Sequence, residues 1–292
     1  MALALSASSR EALAAAGARL DEVIDSSHTG PVARIGEKVG VTTGPGTLAQ
    51  LGDELFAFTR LLAEQPAVRR LLGDATAPEA SRVQLAERLV GGQLSDTTMD
   101  MVRVLVSARW SRSLDLLDAA EALARRATLG PAEKDGSLDD VEDELFRFGR
   151  VLDREPQLST LLSDRATPEQ GRIGLLDQVL AGRTSAVATA LLQQSVRLPR
   201  GRHMDEVAEE LADLAAERRE RYVARVATAV ALTPEQESRL TESLTRLYGR
   251  PMSLHVELDE GLLGGLVVRV GGEVIDGSVA GRLAAARRAL PS

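Results

Sequence analysis

Few residues of this chain have the type and spacing that chemistry needs. Its three histidines, His28, His203 and His255, fall in a segment that reads as a loop, at the start of a helix and in an alternating strand. The chain has no cysteine and no histidine–carboxylate spacing that closes a coordination shell, so the histidines read as surface or capping residues rather than metal ligands. Asp139-Asp140, Glu142-Asp143-Glu144 and Glu209-Glu210 have the functional groups for acid and base work. They lie on periodic helices with no apolar pocket or partner base in the pattern, which makes solvated faces the better reading. Arg197, Arg200 and Arg202, interrupted by Leu198 and Pro199, could hold a phosphate but fit a helix–helix corner better. No serine has a Gly-x-Ser-x-Gly context. No catalytic, metal-binding or cofactor-binding residue is therefore assigned.

The most specific stretch lies near the C-terminus, from Asp259 to Leu283. Leu266 to Val270 is an apolar, β-branched run, Gly271-Gly272 suits a two-residue hairpin turn, and Glu273 to Ile275 starts the return strand. Asp276-Gly277-Ser278 then turns the chain, and Ser278 is placed to cap the helix that carries Leu283. A glycine-rich segment invites a phosphate-loop reading, but no Gly-Lys-Ser/Thr follows and no dinucleotide fingerprint opens a helix. These glycines are expected to serve backbone geometry.

The elements in front of that segment are helical and duplicated. Asp53-Glu-Leu-Phe-Ala-Phe-Thr-Arg60 aligns with Asp143-Glu-Leu-Phe-Arg-Phe-Gly-Arg150 at an offset of about 90 residues, without a gap. Pro66 falls on Pro156, Asp74 on Asp164, Arg82 on Arg172 and Arg112 on Arg202. In each copy an amphipathic helix, Leu48 to Glu64 or Leu138 to Arg154, stops before a proline. Shorter helices follow, Thr167-Pro-Glu-Gln170 reading as a capping box, and each copy ends on a long helix, Leu114 to Arg126 or Met204 to Arg221. Residues 9 to 25 add a further amphipathic helix, His28 to Gly46 reads as a loop, and Gly130 to Gly136 reads as a break between copies. Phe56 and Phe58, matched by Phe146 and Phe148, imply the same core in both copies.

After Arg221 the period changes. Val226, Thr228, Val230 and Leu232 alternate as a strand, and Thr233-Pro-Glu-Gln236 is a second capping box that opens a helix to Tyr248. Met252 to Leu258 is another alternating strand. The fold class is mainly α: two tandem helical bundles, residues 1–113 and 114–221, followed by a small α+β domain, residues 222–292, of β-α-β-β-α order. A net charge of −8 and 2% aromatic residues oppose nucleic-acid binding, and residues 224–292 carry equal numbers of acidic and basic side chains, so the excess acid lies before them. No apolar run approaches a membrane span, and the N-terminus lacks a signal-peptide pattern.

Asp259, Leu262, Gly264-Gly265, Val270-Gly271, Ile275-Asp276-Gly277-Ser278 and Gly281-Arg282-Leu283 resemble the C-terminal signature of the delta subunit of F-type ATP synthases, called OSCP in mitochondria. In that family a six-helix bundle precedes a small mixed domain. The extra bundle in front resembles actinobacterial forms with a duplicated delta region. The resemblance implies a non-catalytic peripheral-stalk subunit that links the alpha/beta head to the b-subunit stalk and resists rotor torque. It implies a peripheral location at the cytoplasmic face of the cell membrane, with no cofactor, no nucleic acid and no direct membrane insertion. Its implied partners are the alpha N-terminal helices and the C-terminal region of b, with beta as a further contact. An alpha helix would lie between the first and fifth helices of the second bundle, against Leu123, Ala124, Ala127, Leu191, Leu192 and Val196, positions that serve equally as bundle core. Asp259, Gly264, Gly265, Gly271, Asp276, Gly277, Ser278, Gly281 and Arg282 would be structural. The alternative is a helical adaptor for RNA or another protein complex, disfavoured by charge and by the unexplained hairpin signature.

Overall fold

Helix boundaries follow local chemistry in both copies. The computed structural model describes residues 5–27, 45–220, 223–248, 252–259, 261–270 and 273–281. Residues 28–44 of the expected loop, with His28, lie outside these, as do Arg221, Gly271, Gly272, Arg282 and Leu283. The first copy comprises α1 (Ala7–Ser26), α2 (Pro45–Glu64), α3 (Pro66–Leu72), α4 (Glu79–Val90), α5 (Asp96–Ser107) and α6 (Ser113–Asp135). The second adds α7 (Leu138–Arg154), α8 (Pro156–Ser163), α9 (Glu169–Leu180), α10 (Ala186–Arg197) and α11 (Met204–Glu220). Ser6, Ser95 and Ser185 cap α1, α5 and α10 by accepting the N–H of the residue three positions on. Pro66 and Pro156 occupy the first turns of α3 and α8, where no N–H is needed.

The two copies share their corners to the level of single hydrogen bonds. Arg82 on α4 is buried and donates through Nη1 to the carbonyls of Val106, at 2.5 Å, and Ala108, at 2.7 Å, at the end of α5. Its counterpart Arg172 on α9 donates in the same way to the carbonyl of Val196 at the end of α10. A guanidinium thus satisfies carbonyls that the helix ends leave open. Glu54 on α2 accepts from the Ser95 N–H at 3.0 Å, and Glu144 on α7 accepts from the Ser185 N–H at 2.8 Å. Hydrogen bonds from Thr98 and Ser95 outweigh partial burial, the largest single influence, and hold the Glu54 carboxyl below its ordinary pKa.

Helix α6 ends the first copy and also packs against the second. It touches α1, α2, α3 and α5 on one side and α7 and α10 on the other. From Asp115 to Glu133 it is buried nearly all round. It therefore carries small residues at its closest crossings. A Cβ on Gly52 of α2 would sit 3.1 Å from the Thr128 Cα and backbone nitrogen and 2.5 Å from its Oγ1. One on Gly130 would meet Leu48 Cδ1 at 3.2 Å and Ile24 Cγ1 at 3.6 Å. The expected break at Gly130 to Gly136 is thus corrected: α6 runs through Gly130 and Pro131 and stops where Gly136 takes a left-handed φ of 76°. Gly130 serves close packing of α1 and α2, and that contact outweighs its weak helix propensity.

The chain forms two compact units, residues Met1–Ala215 and Ala216–Ser292. In the second unit β1 (Val223–Thr228) pairs parallel with β2 (Ser253–Leu258) and antiparallel with β3 (Leu266–Val270), which pairs antiparallel with β4 (Glu273–Asp276). The sheet order is β2-β1-β3-β4. Helix α12 (Pro234–Tyr248) is the crossover between the parallel pair. Ala224, Val226, Leu244, Met252, Val268 and Val270 form the core. Thr233 and Gln236 make the full reciprocal capping box, at 2.9 and 3.3 Å.

Three further expectations are corrected. The strand expected to reach Leu232 ends at Thr228, whose carbonyl accepts the Asp259 N–H while Val230 is exposed. Thr167 does not cap α9; Pro168 holds the cap position and the Thr167 hydroxyl turns back to Asp164. Phe146 is 61% exposed, whereas Phe56, Phe58 and Phe148 are buried.

Replacing Gly52 by leucine is expected to push α2 off α6 and cost about 3 kcal/mol, the upper range for overpacking. Gly174→Ala on α9, where nothing lies within 4 Å of an added Cβ, should instead gain about 0.5–1 kcal/mol from helix propensity. Denaturant midpoints of the two variants check both signs.

Candidate interaction surfaces

The C-terminal signature is a strand-crossing lock made of backbone. The Gly277 N–H donates to the Leu266 carbonyl at 3.0 Å and the Val279 N–H to the Gly264 carbonyl at 2.9 Å. Gly264 and Gly265 hold φ of 143° and 80°, which side chains other than glycine rarely adopt. An added Cβ on Gly265 would lie 2.5 Å from the Gly277 carbonyl oxygen and 2.9 Å from Ser278 Cα. Asp259 turns the chain by accepting the Gly261 N–H at 2.9 Å. Asp276 accepts the Ser278 N–H at 2.9 Å, and the Ser278 Oγ accepts the Gly281 N–H at 3.0 Å, as an N-cap does. The Ser278 hydroxyl and N–H hold the Asp276 carboxyl below its ordinary pKa. At Gly281 a Cβ would fall 2.6 Å from an Asp276 carboxylate oxygen. Gly271 and Arg282 lie outside the described residues.

The arginine cluster is a corner. Arg200, held at a left-handed φ of 53°, and Arg202 reach back from the α10–α11 connection to Glu121 on α6. Arg125 joins Glu121 at 2.8 Å, Arg202 joins Glu210 on α11 at 3.0 Å, and Arg200 also pairs with Asp118 at 2.5 Å. Burial pushes the Glu121 pKa up, and the charges of Arg125, Arg202 and Arg200 together pull it below the ordinary value. These guanidiniums are engaged with carboxylates of their own chain. Arg197 reaches Glu169 at 3.6 Å.

Leu123, Ala124, Ala127, Leu191, Leu192 and Val196 are each 0% exposed. All six lie in the core of the helical unit, and none is on the surface that a partner first meets. His203 is exposed at the start of α11, and the His255 side chain is exposed beside Glu257 at 3.4 Å. Among the described residues no group of histidines and carboxylates is arranged to hold a metal.

An open groove of about 280 Å³ runs between α7 and α11. Phe146 and Gly149 line it, with Asp153, Glu206, Glu209 and Asp213 at its rim. Sequence reasoning equated Phe146 with its buried counterpart and missed this surface. Its signal was the change from Leu116, Ala119 and Leu123 to Glu206, Glu209 and Asp213 at the same repeat offset.

The sequence profile of the ATP synthase delta (OSCP) subunit family matches residues 39–128 and again residues 120–290, so the two matches overlap within α6. The chain is 43% identical over 284 residues to ATP synthase subunit delta of Acidothermus cellulolyticus, covering 97% of this chain and 98% of that one. It is 45% identical over 282 residues to ATP synthase subunit delta of a Parafrankia species, covering 97% and 98%. It is also 44% identical over 277 residues to ATP synthase subunit b-delta of a Mycobacterium species, covering 95% of this chain and 62% of that longer one. The adaptor alternative finds no support in these matches.

Gly265→Ala should destabilise the second unit by about 2–3 kcal/mol, because strain at positive φ adds to a backbone clash. Its melting, followed separately from that of the helical unit, checks this. Glu121→Gln should cost about 3 kcal/mol by leaving buried guanidiniums underpaired. The Glu121 pKa is lowered on folding, so its contribution is complete above the ordinary carboxylate value of 4.5 and is lost as pH falls through the lower folded value. The stability gap between wild type and variant should therefore be full at neutral pH and close only below about pH 4.5.

Proposed function

The chain belongs to the ATP synthase delta (OSCP) subunit family and is a peripheral-stalk subunit of the F-type ATP synthase; we propose that it acts there without chemistry of its own. The observation that carries the assignment is identity above 40% to subunit delta proteins along nearly the whole of both chains. A passive role is supported by the use of the charged residues. Glu121, Arg125, Arg200 and Arg202 are engaged in holding α6 to the α10–α11 corner, and Arg82 and Arg172 close helix ends. A stator resists torque through stiffness, to which buried, hydrogen-bonded charge networks contribute.

In this reading residues 1–221 receive N-terminal helices of alpha subunits, with beta as a further contact, and residues 222–292 hold the C-terminal region of b. A relative whose name joins b to delta in one chain supports close association of the b and delta regions. The subunit sits peripherally on the cytoplasmic face; no described helix is long and apolar enough to cross a membrane. The additional N-terminal bundle, residues 1–113 ahead of the shared helix α6, contributes a second contact to the head or stalk. Burial of Leu123, Ala124, Ala127, Leu191, Leu192 and Val196 favours their role as bundle core, leaving alpha recognition to more exposed side chains.

Fragments used to capture partners from detergent-solubilised membranes test the division of labour. The fragment 222–292 should retain b and lose alpha, and 1–221 should do the reverse. Exchanged preferences would overturn the assignment of partners to units.

A further inference from the structure

The α7–α11 groove is the repeat of a seam that the first copy keeps closed. At the positions 90 residues earlier, on α2 and α6, Phe56, Leu116, Ala119 and Leu123 are all buried. Helix α10 of the second copy lies beside that seam, with Arg60 donating to Gln194 Oε1 at 2.8 Å and Gln194 Nε2 reaching Asp53 at 3.5 Å. Among the described residues of the helical unit, no further helix covers the corresponding face of α7 and α11. The aromatic that is buried in the first copy is exposed in the second.

A terminal repeat normally ends in a polar outer face that keeps it soluble. Here the face is only half converted. Glu206, Glu209 and Asp213 replace apolar positions and Asp153 replaces Ala63, while Phe146 stays at 61% exposure over a groove floored by Gly149. A cap alone would have exchanged the phenylalanine as well. An aromatic anchor ringed by carboxylates, with Arg150 as the basic residue of the lining, has the complementarity for a cationic helix with one apolar face.

We propose that the α7–α11 groove docks an amphipathic helix of a neighbouring protein in the assembly, with an apolar residue over Phe146 and lysines or arginines opposite Glu206, Glu209 and Asp213. The lining spans two turns of each helix, so about three turns of partner helix suffice. The site is separate from the core positions between α6 and α10, and its test in the complex rests on the stalk assignment.

The chain has no cysteine, so a single thiol introduced as Arg150→Cys on the groove can carry a photo-crosslinker, attached before assembly, at a unique site of this subunit. Co-purification of the labelled chain with the complex checks the stalk assignment by itself. Given co-purification, adducts should map to a basic segment with apolar residues at three- and four-residue spacing in another subunit. Combining Glu206→Lys and Glu209→Lys with the probe at Arg150→Cys should lower adduct yield at least tenfold with helicity unchanged, whereas Glu22→Lys at an exposed position of α1 should leave it unchanged. Absence of an adduct, adducts to lipid, to this chain itself or to a neutral or acidic segment, or equal loss with Glu22→Lys would overturn the proposal.

Discussion

A helix shared between two bundles has no solvent face to spare, and this constraint governs the helical unit. Helix α6 must satisfy α1, α2 and α5 on one side and α7 and α10 on the other. Apolar bulk on every side would hold these neighbours too far away, so the closest crossings use Gly52 against Thr128 and Gly130 against Leu48 and Ile24. Charged residues on such a helix are necessarily enclosed. Asp115 is fully buried and accepts from the Ser9 hydroxyl at 2.7 Å while pairing with Arg112, and Glu121 is surrounded by three guanidiniums. Enclosure of a charge is tolerable only when the partners arrive with the fold, which makes the corner at Arg200 and Arg202 a condition for α6 to be shared.

The same constraint marks what could be read from sequence. Amphipathic periods, the prolines that open α3 and α8, the Thr233 capping box and the order of the C-terminal elements are local, and local signals were sufficient for them. The repeat was legible because Arg82 and Arg172, or Glu54 and Glu144, make the same bonds in both copies. Gly130-Pro131 misled because a breaker signal is local whereas the contacts that carry α6 through it come from Ile24 and Leu48, more than 80 residues away.

At the candidate sites, legibility depended on backbone against surface. Positive φ at Gly264 and Gly265 and the close approach of Gly265 to Gly277 are what a glycine-rich turn requires, and Asp276 and Ser278 are local cappers. Leu123, Ala127 and Leu191 show the opposite case. Apolar periodicity marks a residue as facing something and is silent on whether that something is the chain's own helix or a partner. Phe56 and Phe146 are the same residue in the same local pattern, yet one is buried and the other 61% exposed, so the difference lies in what packs around each and not in the pattern.

Duplication of a bundle therefore does more than lengthen the subunit. A gene that repeats a self-sufficient fold yields two equal bodies on a linker, whereas sharing α6 fuses them at a helix whose faces are both occupied. A load applied to one copy then reaches the other through packed side chains and the Glu121 network rather than through a loop. Interiors at crystal-like density yield little under such a load, which is the property a stator needs. The cost falls on α11, which inherits the sequence position of α6 without a following copy to bury it. Its acidic substitutions keep that end from pairing with a further bundle, since carboxylates at 206, 209 and 213 would be desolvated against an apolar α10-like neighbour. Array growth is stopped by charge, and that same charge defines which kind of helix the terminal copy can still accept.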